Sequence, residues 1–455
     1  MRNEGITGDD RRGRGWGVAR GTGLSRRAFL GTVGGGLVGW ELFGPRPAEA
    51  QGRVLSVAYM PHPVHLNSLE WMRKAAQQLK LDLDTPAIAY MDYVQSMTAQ
   101  FMGPRNRYQI IWNNDDWGQL FGPFLEPIDD VVKQVWADDR AWMMKHKGRQ
   151  TSAPFVLTCG AMFYRTDLVS ERELPKTLDE LVEASRRAQS KGVKWGIMGG
   201  SGFPHLWFTL LWSIWGNNAD LFLPFGARSW EQLDKGKWTP GVTEKEFIDT
   251  VTWWWDAIHT HKIAPPSIAA GATRTDTDAM FMQGDVAFAF QDTTLLGTYR
   301  NPEKSKVADK VAIAGFPSGP HNKKGRMGWF DAWFWSIPKN NPPEAKKVAK
   351  ELLNWVMSNK DAHREIWTKV GGVPSHLEVQ KELLQTDAEY RKVHEATVGS
   401  PQPVHAAYYW PLWPEIHSLT SKAFTQALTG PRDKIAEVMA GLARDYRLRA
   451  PLPPR

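Results

Sequence analysis

Tyr108-Gln109-Ile110-Ile111-Trp112-Asn113-Asn114-Asp115-Asp116-Trp117 is a short apolar run that passes directly into polar, acidic and aromatic residues. Tyr108–Trp112 reads as a strand, and Trp112–Trp117 as a loop at its carboxyl end. Working outward, the segment before it, Tyr93–Met102, has helical spacing, and Val54–Tyr59 reads as an earlier strand. A Pro/His loop and a helix over Leu69–Leu79 follow that strand. On the far side, Phe155–Thr158 and Ala161–Tyr164 form an extended apolar run broken by Gly160. Thr177 with Glu180 makes a capping box that opens a helix with Leu178, Leu181 and Val182 inward. A second box, Thr243 with Glu246, predicts a helix carrying Phe247, Val251, Trp255 and Ile258. Val286–Phe290 and Trp333–Ile337 read as strands. Asn341 is a candidate N-cap with Pro342 at the first helical position, and Gly371-Gly372-Val373-Pro374 closes the helical region beyond. Strands alternating with helices predict an α/β sheet covered by helices.

The chain opens on a different kind of segment. Ser25-Arg26-Arg27-Ala28-Phe29-Leu30 precedes a weakly apolar, glycine-rich run to Phe43, and Ala48-Glu49-Ala50 has the form of a cleavage site. These parts resemble a twin-arginine signal peptide over residues 1–50, cleaved near Ala50. The apolar run is shorter than the roughly 20 residues a membrane span needs. The expectation is an exported, periplasmic protein.

Composition narrows the classes. Of 56 Lys/Arg and 49 Asp/Glu, eight and five lie in the first 50 residues, leaving +4 over the rest. That balance argues against nucleic acid as a partner, which calls for a concentrated basic face. One cysteine, Cys159, allows no intramolecular disulfide. Tryptophan, at 23 residues, outnumbers phenylalanine at 19. Most of these indoles pack a core; the surplus raises the prospect of a site for a flat-faced, hydroxyl-edged ligand.

Four pieces make residues 51–450 resemble family 1 extracellular solute-binding proteins of ABC importers, the group that includes maltose-binding proteins. They are Phe163–Leu168 followed by Pro175–Leu181, then Ala279–Phe288, then Trp335–Asn340 with Glu344-Ala345 and Leu352-Leu353, and last Val370–Ser375. The resemblance implies an α/β, two-lobed periplasmic binding protein fold of type II-like form, its lobes joined by crossover hinge strands. It puts crossings near 158–162, 285–291 and 331–337. Lobe 1 then combines 51–158 with 290–332, and lobe 2 combines 162–285 with 336–455. It implies a cleft that captures a sugar or sugar-like polyol, an inner-membrane ABC permease as partner, a monomer, and no cofactor.

Candidate ligand residues follow from the residue types and this mapping. Trp112 and Asp115 match the family's Trp-x-x-Asp, with Asp116 and Trp117 beside them. A carboxylate accepts from vicinal hydroxyls while an indole face covers the C–H side of a pyranose; a surface turn with a core tryptophan is the structural alternative. His65, in the loop His62-Pro63-Val64-His65, is a polar contact or a satisfied loop histidine. Its pairing with His62 on a metal is weakened by Pro63 and the lack of carboxylates. His205 and Trp207 fall where the family has an aromatic, although Trp207, Leu211 and Trp215 also share core-like helical spacing. Gln291 and Asp292 follow a strand where maltose binders carry Gly-Pro-Trp, a departure that puts maltose-like stacking in doubt. Trp329 and Asp331 occupy a small-residue segment of the relatives, facing the ligand or filling the hinge. Tyr409 and Trp410 match a late cleft-lining segment. Trp253-Trp254-Trp255 reads as packing, since three consecutive helical residues cannot share a face.

Two alternatives stand beside the sugar binder. Tyr408-Tyr409 resembles the adjacent tyrosines of ferric-ion binders of the same fold. An exported carbohydrate-active enzyme is disfavoured: Gly199–Phe203 fails the nucleophile-elbow pattern, and no phosphate loop or paired-His metal helix is present. Adjacent Asp115 and Asp116 are poorly placed to flank one glycosidic bond.

Overall fold

The computed structural model describes residues 54–131, 145–223, 239–322, 329–398 and 413–449. The leader (1–50) and Tyr408, Tyr409 and Trp410 lie outside the described residues, as do the side chains of Trp329 and Asp331.

Nine strands form one mixed sheet: β1 Val54–Ala58, β2 Asp82–Asp84, β3 Ile110–Asn114, β4 Ser152–Arg165, β5 Trp195–Gly199, β6 Val286–Asp292, β7 Val311–Ala314, β8 Trp329–Ser336 and β9 Val373–Pro374. The order is β2-β1-β3-β8-β4-β6-β5, with β7 and β9 also paired to β4. Parallel pairing holds β2, β1 and β3 together at one end and β6 with β5 at the other; the pairings to β4 and β8 are antiparallel.

β4 is the shared element. Gly160 does not break it: the strand runs unbroken for 14 residues and is buried through Tyr164. Its near-continuous apolar sequence follows from burial on both faces. Gly160 is instead where the partners change. Before it β4 pairs with β8 (Ser152↔Ser336 to Gly160↔Trp329); after it, with β6 (Gly160↔Asp292 to Tyr164↔Phe288).

The helices start where local chemistry satisfies their first N–H groups. α1 is Pro63–Gln78, six residues earlier than the predicted Leu69, because Pro63 takes the first position and His62 Nδ1 accepts from the Val64 N–H at 3.3 Å. His65 is therefore in a helical turn, not on a loop. α2 is Tyr90–Met102 and α3 is Leu178–Ser190. Thr177 caps α3 as expected, but the Glu180 carboxylate accepts from the Lys176 N–H rather than returning to Thr177. α4 (Leu210–Gly216) precedes α5 (Lys245–His259). Glu244 is the N-cap of α5, and Thr243 ends a 3-10 turn, so the second capping box does not form. On α5 the fully buried indole is Trp254; Trp255 is half-buried. α6 is Arg274–Gln283. α7 (Pro343–Ser358) begins one residue late, because the Asn341 side chain donates to the Tyr108 carbonyl instead of capping. α8 (Lys360–Glu365) leads through one π turn to Gly371, whose φ of +85° ends the helix as expected. α9 (Leu377–Thr386), α10 (Ala388–Ala396), α11 (Trp413–Thr429) and α12 (Ile435–Arg449) complete the described chain.

Apolar packing gives two lobes and a third cluster. One joins Leu55, Ile110 and Trp335 of the sheet to α1, α2 and α7. Another joins Ile197 and Phe288 to α3, α4, α5, α11 and α12. The third, containing Leu157, Phe163, Tyr299, Phe334 and Tyr390, lies along β4. The resemblance puts residues 336–370 in the second lobe, yet Ile337, Leu352 and Val356 pack with Leu55 and Leu69. Ala314 and Phe316, expected in the first, pack with Trp212 of the second.

Candidate functional site

β3 extends two residues further than predicted. Its ladder with β8 continues to Asn114↔Trp333, so Trp112, Asn113 and Asn114 are strand residues, and Asp115–Trp117 form a 3-10 turn at the carboxyl end. Asp115 Oδ1 accepts from the Asp116 N–H at 2.8 Å, and both carboxylates are buried. Trp112 is fully enclosed, with ring centroids of Trp117, His65 and Tyr93 at 4.8, 4.9 and 5.0 Å. Trp117 stacks on Tyr93. Burial pushes the His65 imidazole down to about 3, so it is neutral at physiological pH.

A different set stands at the end of β6 and around α6. Gln291 is committed on both sides: Nε2 donates to Asp278 at 2.9 Å and Oε1 accepts from the Asp292 N–H at 3.0 Å. Asp292 Oδ1 accepts from the Thr294 N–H and hydroxyl, at 2.9 and 2.8 Å, capping the turn Thr293–Leu295. Burial raises Asp292 and Asp278, and the Arg274 charge opposes this in both. His205 is half-buried and pushed down to about 4, by burial first and then by Arg274. Trp207 is buried against Trp413, His417 and Trp215 at 5.5, 5.6 and 5.7 Å, so its helical spacing does report packing.

The two sets meet. Arg274 Nη2, on α6, lies 3.0 Å from His62 Nε2 at the start of α1. The His62 ring in turn is 4.8 Å from Trp333, on which His65 stacks. α11 passes close to the Asp115–Trp117 turn. The structure thus brings His65, Trp112 and the Asp115 turn together with His205 and Asp292 around the Arg274–His62 contact. By register Trp329 and Asp331 lie on β8 opposite Gly160 and Thr158.

Arg274, Trp333, Asp278 and His417 are not among the residues singled out in the sequence, where His62 enters only as a metal partner of His65. A signal for Arg274 existed: Thr273 and Asp276 form a reciprocal capping box that marks the start of α6. Nothing local marked Trp333 or His417, whose neighbours come from distant segments. Among the described residues no group of three or more His, Cys, Asp or Glu is placed to hold a metal ion.

The arrangement offers carboxylates, amides and indoles at strand ends on both sides of an interlobe contact, where open α/β sheets bind ligands. Solved structures with the same fold include maltose-bound MalE3 of T. maritima, with 19% identity, a TM-score of 0.72, and 86% of this chain and 99% of that one covered. The GacH receptor of Streptomyces glaucescens matches at 15% identity and a TM-score of 0.72, over 88% and 98%. A solute-binding protein of Agrobacterium vitis with bound D-mannitol matches at 20% and 0.66, over 88% and 100%. The family model of bacterial extracellular solute-binding proteins matches residues 71–363, more than half of the sequence. With its two lobes built on one shared strand, this chain belongs to the bacterial extracellular solute-binding protein family.

Proposed function

We propose that this protein is the solute-capturing component of an ABC importer and that its lobes close around a sugar or sugar-like polyol. It is exported through the twin-arginine leader, cleaved near Ala50, and works in the periplasm as a monomer that docks on an inner-membrane permease. The observation that carries this reading is the convergence, at the Arg274–His62 contact, of polar and aromatic groups from the carboxyl ends of β3 and β6. Maltose and D-mannitol in structures of the same fold support hydroxyl-rich ligands. Asp115, Asp116 and Asp292 accept from hydroxyls, His65 and His205 supply further polar contacts, and Trp112 and Trp117 line the apolar side. Trp329, Asp331, Tyr409 and Trp410 complete the proposed set, with β4, β6 and β8 as the crossings between lobes. Ligand bound to both lobes shifts the population toward the closed form, and it leaves chemically unchanged.

A thermal-shift screen of monosaccharides, oligosaccharides and polyols, followed by calorimetry, tests this: at least one should raise the melting temperature and bind stoichiometrically. No binder in the panel, or turnover of an oligosaccharide, would refute it. The export reading is checked by Arg26→Lys with Arg27→Lys, which should hold the protein in the cytoplasm, and by an exported form beginning near Gln51.

A further inference from the structure

Arg274 stands out because the fold does not satisfy it. Arg274 is half-buried; among the described residues its guanidinium makes one hydrogen bond, to His62 Nε2, no ion pair, and one ring contact, over Phe208 at 6.0 Å. A guanidinium has five N–H donors and no acceptor, so four remain without a protein partner. Asp278 and Asp292 are near enough for their charges to be felt, but their hydrogen bonds go to Tyr299, Gln291 and Thr294.

The single bond is itself contested. His62 is asked to accept twice: at Nδ1 from the Val64 N–H, which caps α1, and at Nε2 from Arg274. Burial, with Arg274 and His65 adding to it, holds His62 neutral. A neutral imidazole carries one acceptor nitrogen and one N–H. In one tautomer the ring accepts from Arg274 and turns an N–H toward Val64, losing the cap. In the other it caps the helix and turns an N–H toward the guanidinium. The two contacts cannot both be hydrogen bonds at once, so this structure holds Arg274 on a partner that is better used elsewhere.

We propose that Arg274 is a ligand-binding residue, and that its free N–H fork donates to a pair of vicinal hydroxyl oxygens on a neutral sugar or polyol that displaces His62. The ligand then supplies the missing acceptors and His62 returns to capping α1. Paired oxygens fit because the fork's donors are parallel and coplanar. Neutral hydroxyls are favoured over a carboxylate because two carboxyl groups, Asp278 and Asp292, already stand close to Arg274 and would face an acidic ligand. This rests on the sugar-binding reading above and adds to it a recognising residue and a charge preference.

The test is calorimetry of the full mature chain with maltose and D-mannitol, alongside D-glucuronate and D-mannonate as acidic counterparts. The expected result is binding of a neutral compound, weakened at least about tenfold by Arg274→Gln, with the acids weaker in the wild type. Using 1-deoxy-D-mannitol or a deoxy analogue of the sugar that binds, removal of the contacted hydroxyl should cost affinity in the wild type and little in Arg274→Gln. His62→Asn keeps an N-cap side chain and removes the competitor, so it should bind as tightly as the wild type or tighter. Equal loss in His62→Asn and Arg274→Gln would mean that the contact between lobes matters and the proposal is wrong. Unchanged affinity in Arg274→Gln, or preference for the acids, overturns it while leaving the sugar-binding reading intact. If neither neutral compound binds, the same variants are compared on the best compound of the thermal-shift screen, and only an empty screen removes both readings.

Discussion

The imidazole of His65 lies flat against the Trp333 indole, with centroids 4.9 Å apart and planes 6° from parallel. One residue comes from the first turn of α1 and the other from β8, so the stack fastens the first helix to a strand that also pairs with β4. Burial of this ring, rather than the stack itself, disfavours the charged imidazolium.

Stability should therefore fall in acid. His65, His363 and His417 are each pushed down to about 3 and His205 to about 4, chiefly by burial. Below about pH 6.5 the unfolded chain takes up protons that the folded chain refuses, so each such histidine removes up to ~1.4 kcal/mol per pH unit until its folded pKa is reached. Asp220 works in the opposite sense: burial raises it to about 7, so its contribution is lost as pH rises from about 4 to 7. Asp278 and Asp292, also raised by burial, act in the same sense as Asp220, but the buried histidines, with His62 among them, outnumber the three aspartates. Urea unfolding between pH 7 and 5 should show stability decreasing with pH, less steeply in His65→Gln; a flat profile contradicts the neutral-histidine core.

Asp115→Ala should weaken ligand binding by more than about 1 kcal/mol, read by calorimetry on the best compound of the screen. Trp112→Ala is a poor probe, because deleting an indole this enclosed costs about 3–5 kcal/mol of stability. Trp112→Phe keeps most of the packing and should still lower affinity. Wild-type affinity in both Asp115→Ala and Trp112→Phe would remove this corner from the site.

Gly199 ends β5 beside Phe290 of β6. A Cβ there would stand 2.0 Å from the Phe208 carbonyl oxygen, a backbone atom that cannot swing away. Gly199→Ala should lower stability by about 1–3 kcal/mol, visible as a lower urea midpoint. An unchanged midpoint would show that the 206–208 turn can move away from the sheet.

Glu365 joins α8 to α1, accepting from Trp71 Nε1 at 2.8 Å and Asn67 Nδ2 at 3.2 Å. Glu365→Ala strips both donors and should destabilise by about 1–3 kcal/mol. Hydrogen exchange should then quicken in α1 and α7 and stay unchanged in α11 and α12, whose core is the other one. Faster exchange confined to α11 and α12 would place 360–370 with the second lobe.

Much of this was readable in one dimension. Apolar runs located β1, β3, β4, β6 and β8, because a buried strand must be apolar wherever it lies. Thr177 and Gly371 marked helix ends through bonds and backbone angles made within a few residues. Errors arose where a distant segment intervened: Asn341 was drawn from its capping role by the Tyr108 carbonyl, and Asn113 and Asn114 were held in β3 by pairing with β8. His65 was misplaced for a smaller reason, since His62 and Pro63 start α1 six residues before its apolar periodicity becomes plain.

The sequence alone determined the α/β class, the order of its elements and the kinds of side chain at the strand ends, since periodicity, capping and composition are local properties. Only the tertiary structure decided which segments share a lobe, how far β4 runs, and that Arg274 reaches His62. Those depend on contacts between residues separated by as many as hundreds of positions, and a contact energy leaves no trace in either partner's own stretch of chain.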